Sequence, residues 1–218
     1  MSLKPLRSRA QKRALDLILG VALLVLSLPL QAIAGIAVRT SSPGPVLFRA
    51  RRVGKGGTEF TMFKFRTMRS DMYGIGVTAG DDARVTKIGR LLRATKIDEL
   101  PQLFQVVRGT MSLVGPRPED PRYTALYTPE QRRVFDVMPG ITGPSIIINE
   151  EGLLAGDPPL EVERRYTEEV MPMKLEIDLR YIDDWSILQD LKIICRTGFS
   201  LIPIFNRRGR NQQPLGYS

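Results

Sequence analysis

Twenty-two uncharged and largely apolar residues, Leu17 to Val38, interrupt an otherwise mixed sequence and give its strongest organisational signal. Beyond them the pattern shortens. Thr40-Ser41-Ser42-Pro43-Gly44-Pro45 is a turn cluster, and Val46 to Arg49 reads as a short strand. Gly54 to Gly57 is a hairpin turn leading into Thr58 to Thr67, where Phe60, Met62, Phe63 and Phe65 carry the apolar content. Ile88 to Arg93 predicts a short helix, and Glu99 to Val107 another, with Pro101 accommodated in its first turn. Thr128-Pro129-Glu130-Gln131 has the form of a helix start, with Thr as N-cap and Gln closing a capping box. From Trp185 to Ile202, apolar residues at 188, 191, 194, 195 and 199 repeat at the helical period. That last helix either covers the core or lies on a bilayer, since Phe199 to Phe205 leave an apolar end before Arg207, Arg208 and Arg210. The Gly/Asn/Gln/Pro-rich end, 206–218, predicts a disordered tail.

Three readings compete for the long apolar run. A signal peptide would need a small-residue cleavage site after it, whereas Arg39 follows at once. A straight membrane span fits on length, because 22 residues at 1.5 Å give about 33 Å against a hydrocarbon core of about 30 Å. Pro29 argues against a straight span: it removes a backbone hydrogen bond mid-helix, and Ser27 is placed to offer a local side-chain substitute. Cations flank both ends, Lys4 to Arg13 before and Arg39 to Lys55 after, and matching flanks favour one face of the membrane for both. A break at Pro29 would allow the run to dip into one leaflet and return. The expectation is therefore a re-entrant helix, with a bitopic span and a buried core helix as the alternatives. The expected division is residues 1–39 as the basic N-terminus and membrane element, 40–205 as a globular domain, and 206–218 as the tail.

Composition narrows the chemistry. The chain has 218 residues, 32 Lys+Arg against 23 Asp+Glu, no histidine and one cysteine, Cys195. Ser-His and Cys-His catalysis, His-ligated metals and Cys clusters are excluded, leaving carboxylate, Lys/Arg, hydroxyl and amide chemistry with a hard cation such as Mg²⁺. The charge is uneven: five basic residues and one acidic in 1–16, and eight against one in 39–69, so the first 69 residues carry the excess while the rest is slightly acidic. Such a basic block beside an apolar run suits anionic bilayer lipids. No recognisable nucleic-acid fold accompanies it, so nucleic acid is not expected as a partner.

The densest polar cluster is Arg93-Ala-Thr-Lys96-Ile-Asp98-Glu99-Leu-Pro101-Gln102. Adjacent acids at a helix start can simply serve as N-cap and dipole partners. Alternatively, Asp98 and Glu99 hold Mg²⁺ or perform nucleophilic and acid-base work at a phosphate. Two neighbouring carboxylates then need cations beside them. Gly115-Pro116-Arg117-Pro118 fixes one arginine between two prolines, a low-entropy way to present a bidentate phosphate ligand. Lys64 and Arg66 alternate with aromatics and would place two cations on one strand face, or simply a solvated face.

Six ordered motifs then resemble one family. Lys12-Arg13 and Asp16 precede an apolar run containing Pro29; Ser42-Pro43-Gly44-Pro45, Lys64-Phe65-Arg66-Thr67-Met68 and Asp98-Glu99-Leu100-Pro101-Gln102 follow, then Gly115-Pro116-Arg117-Pro118 and Pro139-Gly140-Ile141-Thr142-Gly143. In this order, over about residues 10 to 200, they resemble the bacterial monotopic phosphoglycosyl transferases, the bacterial sugar transferase family. The resemblance implies an α+β, mainly helical fold: an N-terminal re-entrant helix-break-helix hairpin and a small cytoplasmic catalytic domain with a short β-hairpin and amphipathic interfacial helices. It implies transfer of a phosphosugar from a UDP-sugar to polyprenol phosphate, releasing UMP, at the cytoplasmic face of the bacterial inner membrane. It also implies Asp98 as nucleophile forming a covalent phosphosugar intermediate and Glu99 as the Mg²⁺-associated or acid-base partner. Arg117 and Arg93 would contact phosphate, joined by Lys64 and Arg66, and Ser27 and Pro29 would mark the membrane break. The product would start a glycan or exopolysaccharide, and a homodimer is a further expectation. After Gly143 the chain departs from the family's polar Gln-Val-Asn-Gly-Arg-like run, reading Pro144-Ser145-Ile146-Ile147-Ile148-Asn149-Glu150-Glu151.

Overall fold

The computed structural model describes residues 6–69, 84–146, 148, 153–154 and 158–200. Helix α1, Leu6–Ser41, leads into an antiparallel hairpin of β1, Leu47–Val53, and β2, Glu59–Phe65. The hairpin register pairs Leu47 with Phe65 and Val53 with Glu59, and its turn is a 3-10 element, Lys55–Gly57. Helix α2, Lys87–Ala94, a 3-10 turn, Ile97–Glu99, and helix α3, Gln102–Arg108, come next. Strand β3, Ser112–Val114, pairs in parallel with β4, Gly140–Thr142; between them lie α4, Pro121–Thr124, and a 3-10 segment, Gln131–Asp136. The remainder is helical: α5, Pro159–Arg165, a π turn at Tyr166–Val170, α6, Met171–Asp184, and α7, Ile187–Ser200.

Most local expectations are realised for their stated reasons. The box at Thr128 closes, with Thr128 N–H donating to Gln131 Oε1 (2.9 Å) and Gln131 N–H donating to Thr128 Oγ1 (3.2 Å), although the segment continues as 3-10 rather than α. Helix α2 is capped by Thr86, whose hydroxyl accepts from Gly89 N–H at 2.8 Å. The π turn lies immediately before Pro172, whose ring nitrogen has no proton for an i−4 carbonyl, so the helix widens there instead of ending. The expectations for Leu201 to Phe205 and for the tail fall outside the described residues, as does any statement on the Phe199 side chain.

The sequence predicts helix, break, helix; in the structure Leu6–Ser41 is assigned as one helical element with Pro29 inside it. Pro29 deprives the Val25 carbonyl of its usual donor. Ser27 does not answer that carbonyl: its hydroxyl donates to Leu24 O (3.1 Å) and accepts from Gln31 Nε2 (2.9 Å), a side-chain chain that bridges the proline turn. The helix is long and apolar enough to cross a membrane, with a mean hydropathy of 2.4 and 11% of its most apolar window buried in the protein. Ile18, Val25, Leu26, Leu28, Ile33 and Ile36 are all exposed.

Both ends of this helix nevertheless belong to the globular body. Leu19 and Leu24 pack against a core of Ala50, Met62, Leu103, Val106, Met111, Leu113, Val114, Tyr181 and Ile193. Ala34 and Val38 are buried with Phe65 and Leu92. A third core, including Tyr123, Tyr127, Val134, Tyr166 and Leu175, lies under α4, α5 and α6.

Strands β3 and β4 bring two motifs into backbone contact. Gly115 N–H donates to Thr142 O (2.9 Å) and Gly140 N–H to Pro116 O (2.9 Å), so Gly-Pro-Arg-Pro is held directly on Pro-Gly-Ile-Thr-Gly. A Cβ at Gly115 would sit 2.4 Å from Met138 O, with backbone rather than a movable side chain in the way. Gly115→Ala should therefore destabilise the protein by about 2 kcal/mol or more, measured as a fall in Tm of about 4–8 °C; an unchanged Tm would contradict this close approach.

Candidate active site

Asp98 and Glu99 sit in the 3-10 turn between α2 and α3, and each is only 6% exposed. Neither caps a helix: Pro101 occupies the N-cap position of α3, so the ordinary capping explanation for this acidic pair fails. The turn is entered through Lys96, whose φ of 55° makes it the one non-glycine residue with positive φ among the described residues. Its carbonyl accepts from Glu99 N–H at 3.2 Å, which closes the turn.

Helix α3 has seven residues, too few to be stable on its own, and two side chains with long-range contacts hold it. Gln105 clamps it to β2, accepting from Phe63 N–H (3.0 Å) and donating to Thr61 O (2.8 Å). Arg13 of α1 donates to the last carbonyls, Val106 O (2.7 Å) and Val107 O (2.8 Å), and satisfies groups that a helix C-terminus leaves unpaired. Asp16 accepts from the Ser112 hydroxyl (2.9 Å) and Leu113 N–H (3.1 Å), tying α1 to β3. Lys12 bridges Asp16 and the fully buried Asp190 of α7, each at 3.0 Å, and Asp190 also accepts from Tyr181 and Trp185. The sequence marks Lys12, Arg13 and Asp16 only as motif members; their partners lie more than ninety residues away, and periodicity carries no such information.

Cations converge on Glu99. Lys64 Nζ lies 2.8 Å from Glu99 Oε1 and Arg117 Nη2 lies 3.4 Å from the same oxygen. Burial alone would raise the Glu99 pKa, but Lys64, Arg117 and Lys96 together hold it well below the ordinary carboxylate range. Asp98 goes the other way. Burial, then the neighbouring Glu99 charge, pushes it up to about 6 against the pull of Lys64, Lys96 and Arg93. Its Oδ1 is buried without a hydrogen-bond partner. The pair is thus split into one carboxylate held charged by ion pairs and one that is poorly solvated and has an oxygen to offer.

Of the remaining expected residues, Arg93 reaches the site's edge, donating through Nε to Thr67 Oγ1 at 3.0 Å. Arg66 does not join Lys64 on a common phosphate-facing surface. Its guanidinium turns to backbone carbonyls at the end of α1, donating to Ser42 O (2.7 Å), Val38 O (3.4 Å) and Pro43 O. The alternation that should pair the two does not extend that far, because β2 ends at Phe65 and Arg66 lies beyond the strand.

A second buried carboxylate stands behind Arg117. Asp178 Oδ2 accepts from the Ser145 hydroxyl at 2.8 Å, and the backbone N–H groups of Ser145 and Arg117 also stabilise its charge. Sequence reading missed Asp178, which sits on an ordinary amphipathic helix with no motif around it.

An oxygen-liganded cation fits the acidic pair. Asp98 Oδ1 is an acceptor without a partner, Glu99 adds a second oxygen donor, and among the described residues no third His, Cys, Asp or Glu completes a closed cage. Mg²⁺ characteristically uses one or two carboxylates and takes its other ligands from water and substrate phosphates.

The bacterial sugar transferase family model matches residues 7–203. The UDP-glucose:undecaprenyl-phosphate glucose-1-phosphate transferase of Caulobacter vibrioides is 41% identical over 201 residues, covering 90% of this chain and 71% of that protein. The uncharacterized sugar transferase EpsL of Bacillus subtilis is 39% identical over 186 residues, covering 85% and 84%. A UDP-N-acetylgalactosamine-undecaprenyl-phosphate N-acetylgalactosaminephosphotransferase of Aeromonas hydrophila is 33% identical over 204 residues, covering 90% and 45%. The chain spans only 35% to 40% of several longer relatives.

Burial raises the Asp178 pKa to about 7, with Ser145, Lys174 and Arg117 only partly opposing it. The folded protein therefore holds a proton there that the unfolded chain releases near 4. This contribution to stability is fully present below pH 4 and is lost as pH rises through 7. Asp178→Asn, which cannot ionise, should flatten that decline in Tm between pH 4 and 7; an unchanged slope in thermal unfolding across the series would count against the assignment.

Proposed function

The chain belongs to the bacterial sugar transferase family, and on that premise we propose that it is a membrane-bound phosphoglycosyl transferase acting on a UDP-sugar and undecaprenyl phosphate or a similar polyprenol phosphate. The observation that carries this reading is the asymmetry of the buried pair: Asp98 with an unpartnered oxygen beside a Glu99 already neutralised by Lys64 and Arg117. A nucleophilic carboxylate needs a free lone pair and weak solvation, and Asp98 has both.

In the proposed first step an Asp98 oxygen attacks the phosphorus that bears the sugar. The bond from that phosphorus to the bridging oxygen of the diphosphate breaks, UMP leaves, and an aspartyl phosphosugar forms. In the second step an oxygen of polyprenol phosphate attacks the same phosphorus, the acyl phosphate bond breaks, Asp98 is regenerated, and polyprenol diphosphate sugar is the product. Lys64 and Arg117 hold Glu99 and line the approach, with Arg93 at its edge. Asp98 and Glu99 are also the residues that would hold Mg²⁺, which supplies charge neutralisation at the diphosphate. No proton carrier near neutrality is required for either displacement, which suits a chain without histidine. Such a product is a lipid-linked sugar on which a glycan or exopolysaccharide can be started.

Re-entrant membrane association is the topology we favour, with both flanks on the cytoplasmic face. Leu24 and Ala34 pack on the same globular body and are ten residues apart, about 15 Å of helix, so the exposed apolar stretch between them is far shorter than a hydrocarbon core of about 30 Å. The helix thus touches the body on either side of Pro29, which favours a dip into one leaflet over a crossing.

Two experiments test the proposal. Asp98→Asn should abolish UMP release from UDP-sugars with polyprenol phosphate while the protein still fractionates with membranes; full turnover by this variant would remove Asp98 as nucleophile. In a Cys195→Ser background, cysteines placed at Ala10 and Pro45 should both be labelled from the cytoplasmic side only, and labelling from opposite sides would establish a bitopic span instead.

A further inference from the structure

The cations around the acidic pair are already engaged, with one exception. Lys64 and Arg117 are ion-paired to Glu99, Arg93 is bonded to Thr67, and Arg66 is bonded to backbone carbonyls. Lys96 is exposed, makes no side-chain hydrogen bond or ion pair with any described residue, and yet lies close enough for its charge to act on both Asp98 and Glu99.

Its backbone adds an independent argument. Lys96 is the residue after the C-cap of α2, Thr95, and it adopts the left-handed conformation with φ 55°. Glycine is the usual occupant of such a position, and α3 follows that rule, ending at Gly109 with φ 89°. At the equivalent point of α2 the chain accepts the strain of a side chain, two residues before Asp98. Strain retained beside a reactive group points to a use for that side chain.

We propose that Lys96 contacts the donor's diphosphate as it settles over Asp98, supplying the positive charge that the already paired Lys64 and Arg117 do not. This rests on the reading of the site as one that binds a nucleoside diphosphate sugar. An ammonium on a flexible stem at the mouth of the site is suited to meeting an incoming polyanion, and its energy is not spent on a contact that substrate must first break.

The test uses the full-length protein in detergent or nanodiscs, with UDP binding measured by calorimetry, UMP release measured with UDP-sugars, and Tm recorded for each variant. Lys96→Gln and Lys96→Gly should weaken UDP binding and raise the donor KM about tenfold or more, with a smaller effect on kcat, while Lys96→Arg keeps both within about threefold. Lys96→Gly should also raise Tm, because glycine relieves the left-handed strain, so weaker binding in a more stable protein separates the loss of charge from a loss of structure. Wild-type affinity for UDP in Lys96→Gln and Lys96→Gly would overturn the proposal, as would a loss of binding that accompanies a fall in Tm in Lys96→Gly. A wild-type protein that neither binds UDP nor releases UMP would instead fail the donor reading itself, whatever the variants do.

Discussion

The contact on which the rest of the site depends is the grip of the membrane helix on α3. A seven-residue helix forms only where its ends are satisfied from outside, and Arg13 supplies two donors to the carbonyls of Val106 and Val107. The other end of α3 follows Pro101 and the turn that carries Asp98 and Glu99, so this contact helps to set where the acidic pair lies relative to α1. Lys12, Asp16 and Asp190 make that grip specific. A buried Asp190 without Lys12, Tyr181 and Trp185 would be an uncompensated charge, and with them it fixes the rotation of α1 about its own axis. Helix α1 and the acidic pair therefore form one unit.

Electrostatics inside the unit are deliberately unequal. Two adjacent buried carboxylates cannot both be charged cheaply, and the protein resolves this by giving the ion pairs to one of them. Glu99 is charged throughout the physiological range, and its charge in turn helps to raise Asp98. A carboxylate in that position is less solvated, and in the proposed reaction it would lose less on attacking phosphorus, with the cations that hold Glu99 close at hand.

What could be read from the residues alone follows the range of the interactions. The hairpin, α2 and the capping box at Thr128 are fixed by neighbours a few positions away, and all were legible. Asp98, Glu99, Lys64 and Arg117 were legible as a set because polar residues in short rigid motifs stand out, and the structure brings these four together. Pro29 was legible as a missing backbone donor because the proline rule is local, whereas the contacts of α1 with the body at Leu24 and Ala34, on either side of it, were not. Arg66 was misplaced because strand alternation gives a face but not the carbonyls that compete for a guanidinium. Asp178 and the Arg13 contacts were out of reach, since both depend on partners fixed only by the complete fold.

Asp178 also bears on the stretch after Gly143 where the chain leaves its family's pattern. That stretch is not simply a substituted surface, because Ser145 within it is 1% exposed and donates to Asp178, and Asp178 in turn acts on the backbone of Arg117. Arg117 is a ligand of Glu99. A change in the divergent segment is thus two hydrogen-bonding steps from a cation that pairs with Glu99. Gly115 and Gly140, packed backbone to backbone, leave Arg117 little freedom to drift. The divergence can adjust the surroundings of Arg117 without moving the acidic pair, which is tied separately to β2 by Gln105 and to α1 by Arg13.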